Sequence, residues 1–197
     1  FIVKPPFVLG HEAGGTVVEV GANVKNLKVG DRVSMEPGKT CGTCEFCKQG
    51  KYNLCKDEVF FATPPVDGVF QEYVAHEAGL CFNLPDNVST MEGALIEPLA
   101  VGMHAANQAG AHLGQTAVVT GAGCLGLVTL LSLKAMGVSE VIVVDVMEQR
   151  LQKAMELGAT AVINGKEADT VQRIMELTGG RGYDLGIETD GSQITAS

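Results

Sequence analysis

Gln115-Thr116-Ala117-Val118-Val119-Thr120-Gly121-Ala122-Gly123-Cys124-Leu125-Gly126 reads as a buried strand that runs straight into a glycine fingerprint, G-x-G-x-x-G. A helix follows, with apolar Leu127, Val128, Leu130, Leu131 and Met136, and stops at Gly137. Glu140-Val141-Ile142-Val143-Val144-Asp145 is a second strand, ending in an acid 19 residues after Gly126. The fingerprint alone is a weak signal. Strand, glycines, helix, second strand and terminal acid in that order form a dinucleotide-binding unit. The glycines of such a turn let backbone N–H groups approach a pyrophosphate at the helix N-terminus. Gly121, Gly123 and Gly126 are therefore candidate cofactor-binding residues. The Asp145 carboxylate suits a ribose diol and would repel a 2′-phosphate, so NAD is expected over NADP. Arg150 is expected beside the adenine ribose; were it to bind a 2′-phosphate the preference would invert, which Asp145 argues against.

Outward from this core the alternation continues. Leu151 to Leu157 is predicted helical and ends at Gly158, and Ala159-Thr160-Ala161-Val162-Ile163 is a third strand. Val171, Ile174, Met175 and Thr178 share a helix face before Gly179-Gly180, and Tyr183-Asp184-Leu185-Gly186-Ile187 is a fourth strand. A full doubly wound sheet has about six strands, so a truncated one is expected.

Upstream, residues 1–90 read as β-rich. Thr16 to Val20, the run after the Gly30-Asp31 turn, Gly68 to Val74 and Leu80 to Leu84 are short candidate strands punctuated by Gly and Pro, which suggests a small barrel-like domain. Inside it Cys41, Cys44, Cys47 and Cys55 are spaced C-x2-C-x2-C-x7-C. Four thiolates so placed complete a closed tetrahedron, a structural zinc site; free thiols and an iron–sulfur centre are the competing readings. Cys81 and Cys124 lie in apolar surroundings and are expected in the core.

Two further features carry chemistry. His11 and Glu12, after Gly10, are adjacent metal-capable side chains; read alone they are a surface His beside a solvated Glu. Glu97 is an acid in the apolar run Gly93-Ala94-Leu95-Ile96-Glu97-Pro98-Leu99, costly there unless paired or bound to a metal. Ser89-Thr90-Met91-Glu92 has capping-box form and should start the helix that carries Glu97, with Pro98 kinking it or opening a new segment. His104 is expected to be a packed histidine, and His76 and His112 are given no role.

The 197 residues carry a net charge of −9 with no basic stripe, so nucleic acid is not an expected partner. The longest apolar run, around Leu125 to Leu133, is far short of a membrane span. The chain starts at Phe1 without a basic leader, and Gly191 to Ser197 adds no closing element. These ends suggest a piece of a longer, soluble, cytoplasmic protein.

Taken together, these motifs resemble the zinc-dependent medium-chain alcohol dehydrogenase superfamily. Gly10-His11-Glu12-x2-Gly15-x5-Gly21-x2-Val24 matches its zinc signature, and the cysteine lobe and fingerprint follow in the family's order. Within the family the chain looks most like the polyol (sorbitol/xylitol) dehydrogenases, through Phe60-Phe61-Ala62-Thr63-Pro64-Pro65, Leu84-Pro85-Asp86-Asn87-Val88 and Gly93 to Leu99. The resemblance implies a GroES-like β-barrel catalytic domain over residues 1–98 and a truncated Rossmann domain over 99–197. It implies a catalytic zinc held by His11, Glu12 and a Cys upstream of residue 1, with Glu97 coordinating or hydrogen-bonding that site. It places Leu125, Asp145 and Arg150 at cofactor contacts. It implies a polyol or alcohol as substrate, with threonine, butanediol or simple alcohols as alternatives, and a dimer or tetramer. Without the upstream Cys the fragment is expected to bind zinc and NAD but to turn over poorly. Two departures stand out: Cys124 replaces a usual Pro, and Thr189-Asp190-Gly191 departs from a Cys/Ser-Gly-type sequence.

Overall fold

The structure is a computed structural model that describes residues 5–167 and 169–191. The expectations placed on residues 1–4 and on 192–197 lie outside these. The chain divides into two compact units, Phe1–Glu97 and Pro98–Ser197.

In the first unit, β1 (Gly14–Thr16), β2 (Arg32–Met35) and β5 (Cys81–Asn83) form an antiparallel sheet in the order β1-β2-β5. β3 (Gly38–Lys39) pairs with β4 (Val59–Phe60) in a separate two-stranded sheet. The strand expected over Thr16 to Val20 begins earlier and ends at Thr16. The Val17 N–H donates to the Asp31 carbonyl (2.9 Å) and the Gly30 N–H to the Val17 carbonyl (2.9 Å), which closes the pair at the Gly30-Asp31 turn. The strand expected over Gly68 to Val74 is not formed. Its first N–H groups bond an irregular segment instead: Gly68 to the Val8 carbonyl, Val69 to Gly10 and Phe70 to Leu9. Alternation of side chains alone could not show that these donors have no ladder partner.

The cysteine lobe between β3 and β4 carries the short helix α1 (Glu45–Lys48) and a 3₁₀ turn at Tyr52–Leu54. After β5, Arg32 donates to the carbonyls of Val88 (2.5 Å), Pro85 (3.0 Å) and Asp86 (3.1 Å), which fixes the approach to the next helix. α2 (Thr90–Ala94) starts at Ser89, and both halves of the capping box are present. Leu95 interrupts the helix, and α3 (Ile96–Gln108) begins with Glu97 and Pro98 in its first turn. A proline is tolerated there because first-turn N–H groups have no intrahelical partner.

The second unit is a four-stranded parallel sheet, order β8-β7-β6-β9. Its strands are β6 (Thr116–Thr120), β7 (Glu140–Asp145), β8 (Ala161–Asn164) and β9 (Leu185–Glu188). Numbered within the unit this is 3-2-1-4, the doubly wound order with its topological switch between β6 and β9. The connecting helices are α4 (Cys124–Ala135), α5 (Glu148–Glu156) and α6 (Thr170–Leu177). The two-residue period of the strands sorts the core. Ala117, Val119, Val141 and Val143 pack with Leu130 and Leu133 of α4 and Ala154 of α5. Val118, Ile142 and Val144 pack with Ile163 and with Ile174 of α6. Both faces are covered, which is why the strands read as unbroken apolar runs. Among the described residues no helix is long and apolar enough to cross a membrane.

Candidate functional site

Three places gather the residues that the sequence singled out. The first is the cysteine lobe. The sulfurs of Cys41, Cys44, Cys47 and Cys55 all lie within 4.8 Å of one another. The Cys41 and Cys47 sulfurs are 4.0 Å apart. A tetrahedron with Zn–S near 2.3 Å has sulfurs about 3.8 Å apart, so the four are close to ligating geometry. Backbone N–H groups already point at them: Cys44 at the Cys41 sulfur (3.3 Å), Cys47 at Cys44 (3.5 Å) and Cys41 at Cys55 (3.5 Å). The N–H groups of Thr43 and Cys44, with the Thr43 hydroxyl, hold the Cys41 thiol down at about 6. At Cys55 the Cys41 N–H acts the same way, but desolvation and the neighbouring thiols win and its thiol stands at about 11. A divalent cation would satisfy all four thiolates. The local chain supports this: α1 is capped by the Cys44 side chain, which turns Cys47 back toward Cys41.

The second place is also in the first unit. His11, Glu12 and Glu97 each offer a ligand atom, and these atoms lie within 4.8 Å of one another. Adjacent residues commonly diverge, so this convergence has to be built. Gly10 takes φ +89°, in the left-handed region. Residues 8–10 are pinned by the Gly68, Val69 and Phe70 N–H groups and by Asp67, which accepts from the Val8 N–H at 2.9 Å. The break at Leu95 delivers Glu97 from the other side. The His11 ring packs on Phe60, centroids 5.5 Å apart and tilted 59°. Burial raises the Glu97 carboxyl above its ordinary value; His11 draws it back, while Glu12 and Glu36 push it further up. One imidazole and two carboxylates, with a third acid nearby, form a donor set with excess negative charge, suited to zinc with a position left for another ligand. Nothing in the sequence placed Phe60 or Glu36 beside these residues, because only the fold brings them here.

The third place is the fingerprint of the second unit. Gly121 takes φ +93°, and a Cβ on Gly126 would overlap the Gly121 carbonyl oxygen. The turn is thus tight, and the first N–H groups of α4 lack intrahelical acceptors. Asp145 ends β7 as expected and is buried. Its carboxylate accepts from the N–H groups of Ala122 (2.7 Å), Val146 (2.7 Å) and Met147 (2.9 Å), and Arg150 approaches it at 3.7 Å. Burial would raise its pKa, but these donors and the guanidinium outweigh burial and hold the carboxyl below its ordinary value. Leu125 is substantially exposed on the first turn of α4.

Three expectations need correction. Cys124 is exposed, not a core residue, and Cys81 is half-buried. Cys124 opens α4 at the rim of the sheet, whereas the buried stripe of that helix runs through Gly126, Thr129, Leu130 and Leu133. His104 is exposed and pairs with Gln108 at 3.3 Å; it is not packed, because it lies outside the buried stripe of Pro98, Gly102 and Ala106. Of the histidines without an assigned role, His76 meets the Glu36 carbonyl at 2.8 Å and the Phe61 ring at 4.8 Å. His112 meets the Leu113 carbonyl at 3.2 Å.

A small β unit with two clusters that could hold a metal ion, followed by a fingerprint-bearing parallel sheet, has the architecture of a zinc-dependent dehydrogenase. Comparison with known proteins agrees. The alcohol dehydrogenase GroES-like domain model matches residues 1–86, and the zinc-binding dehydrogenase model matches residues 124–197. The chain belongs to the zinc-dependent medium-chain alcohol dehydrogenase superfamily and is a polyol-dehydrogenase-like member of it. It is 55% identical over 163 residues to the sorbitol dehydrogenase of Homo sapiens, covering 83% of this chain and 46% of that one. It is 46% identical over 192 residues to the sorbitol dehydrogenase of Bacillus subtilis, covering 98% and 54%. The crystal structure of an Escherichia coli oxidoreductase/dehydrogenase of unknown specificity, involved in membrane biogenesis, superposes with a TM-score of 0.94 at 48% identity. That match covers 98% of this chain and 56% of that one. The chain spans about half the length of the curated relatives it matches.

Proposed function

We propose that the protein is a zinc-dependent NAD oxidoreductase that interconverts a secondary alcohol of a polyol and a ketose, of the sorbitol or xylitol type. The convergence of His11, Glu12 and Glu97 within 4.8 Å carries this reading. Those three residues would hold a catalytic zinc, and Cys41, Cys44, Cys47 and Cys55 a structural one. When bound, zinc supplies Lewis-acid polarisation of the alcohol oxygen and the nicotinamide supplies the hydride acceptor. The chain's own residues do the rest. Phe60 packs against the His11 ring at a tilt of 59° and so helps to orient it. Gly121, Gly123, Leu125 and Gly126 present the N-terminus of α4 to the dinucleotide phosphates. Asp145, kept ionised by its N–H donors, accepts from the ribose hydroxyls and repels a 2′-phosphate, with Arg150 beside it.

The sorbitol dehydrogenase relatives support a polyol over threonine, butanediol or a simple alcohol. A homo-oligomer and a cytoplasmic location belong to the same reading, because the four clustered cysteines are placed for a metal rather than for disulfides. The test is NAD reduction by the full-length protein on sorbitol, xylitol, threonine, butanediol and ethanol, with metal analysis alongside. Polyol turnover that stops on chelation and returns with zinc is the expected result. About two zinc per chain would show both sites assembled, and about one the cysteine lobe alone. Absence of zinc-dependent turnover on every alcohol would refute the proposal.

A further inference from the structure

Thr189 belongs to the segment Thr189-Asp190-Gly191 that departs from the family's more usual sequence, and its surroundings give it a task. It is the first residue after β9, at the switch point between β6 and β9 where Thr120 pairs with Glu188. Its N–H donates to the Thr120 carbonyl at 2.9 Å, which extends the parallel ladder by one step. Its hydroxyl lies 2.9 Å from the Thr120 carbonyl oxygen and 3.2 Å from the Gly121 carbonyl oxygen, so one proton is shared between two acceptors. The same oxygen fills the notch between two fingerprint glycines. A Cβ on Gly121 would come within 2.7 Å of it and one on Gly126 within 3.0 Å. The turn is tied on its other side to β7, through the Gly121 N–H to the Val144 carbonyl (2.8 Å) and the Ala122 N–H to Asp145 (2.7 Å). Among the described bonds, only the Thr189 hydroxyl ties the Gly121 carbonyl to the end of β9. With both ties in place, the first N–H groups of α4 have a fixed direction.

We propose that Thr189 is a positioning residue for the dinucleotide phosphates: its hydroxyl clamps the Thr120-Gly121 carbonyls from β9 and so sets the aim of the donors of the fingerprint turn. The inference rests on the proposed dinucleotide reading of that turn. Segment 189–191 is itself held in place independently of this hydroxyl, because the Glu188 carboxylate accepts from the N–H groups of Asp190 (2.7 Å) and Gly191 (2.9 Å). Removing the hydroxyl therefore removes the clamp and leaves its anchor.

The test is the affinity of the 197-residue chain for NADH, measured by fluorescence titration for the wild type, Thr189→Val and Thr189→Ser, with thermal unfolding of each. Valine keeps the shape and loses the donor; serine keeps the donor and loses the methyl. The expected result is a Kd raised about tenfold by Thr189→Val, the worth of about one hydrogen bond, and restored to within about twofold by Thr189→Ser. Equal affinities in all three chains would overturn the inference while leaving the dinucleotide reading standing. An equal loss in both variants would also overturn it, because the methyl and not the hydroxyl would then matter. Should Thr189→Val fail to fold, Thr189→Ser against Thr189→Ala makes the same comparison, and unfolding of both hydroxyl-less chains would make Thr189 a residue of the fold alone. A wild-type chain that binds no NADH would overturn the dinucleotide reading and this inference with it.

Discussion

Replacing Gly126 by alanine sets two effects of opposite sign against each other. Gly126 lies in the first turn of α4, where alanine is worth up to about 1 kcal/mol over glycine in helix propensity. Against this, the new methyl would overlap the Gly121 carbonyl oxygen and come within 2.8 Å of its carbon. The obstacle is backbone, held by Thr189 on one side and by the Val144 carbonyl on the other, so it cannot swing aside as a side-chain tip would. Overpacking of this kind costs about 3 kcal/mol at the upper end of its range. The net expectation is a loss of about 2 kcal/mol, or a fall in Tm of about 4–8 °C for a chain of this size. Relief of the overlap also opens the turn, and NADH should bind at least about tenfold more weakly. Gly123→Ala is the matched control. A Cβ there meets nothing within 4 Å, so Tm should change little, while the methyl occupies space that the pyrophosphate needs and NADH binding falls. Calorimetric unfolding and NADH titration on both variants read the two quantities separately. A Gly126→Ala chain with wild-type Tm and wild-type affinity would refute the steric argument.

Other expectations follow from the same geometry. Cys44→Ser should lose one equivalent of zinc by elemental analysis, and the first unit should become more susceptible to proteolysis, because binding energy at such a site is folding energy. Glu97→Gln should leave the zinc of the cysteine lobe in place while lowering occupancy of the His11-Glu12 site; unchanged total zinc in a two-zinc protein would refute the assignment. Asp145 has a depressed folded pKa, so its stabilising contribution is complete above about pH 4 and is lost as pH falls through the folded value. Asp145→Asn should therefore flatten part of the acid limb of a urea-denaturation profile and weaken NADH binding; a profile parallel to wild type down to pH 3 would contradict this. Ser89→Ala removes the cap of α2 and should cost about 1 kcal/mol, read as a lower Tm.

The second unit was legible almost throughout because its signals are local. Buried parallel strands give continuous apolar runs, each helix stops at a glycine, and Asp145 falls where a carboxylate can serve the turn before it. The cysteine lobe was legible for the same reason, its spacing being its geometry. The first unit was harder. Val69, Phe70 and Val74 have strand-like side chains, but whether a strand forms depends on which carbonyls their N–H groups meet, and those belong to residues 8–10. Cys124 was misplaced because an apolar neighbourhood in sequence does not show which side of a helix's first turn faces water. Glu36, Phe60 and Thr189 reach their partners only across the fold.

The two ligand clusters of the first unit also differ in when they can exist. Cys41 and Cys55 are 14 positions apart, while His11 and Glu97 are 86 apart. Closing the longer loop costs about 1.6 kcal/mol more in chain entropy, and it requires both the pinning of residues 8–10 and the break at Leu95. The cysteine lobe could therefore take up an ion on a nascent chain, from a stretch that has only just left the ribosome. The His11-Glu12-Glu97 cluster forms only after the whole unit has closed, so an ion held there would be a record of completed folding.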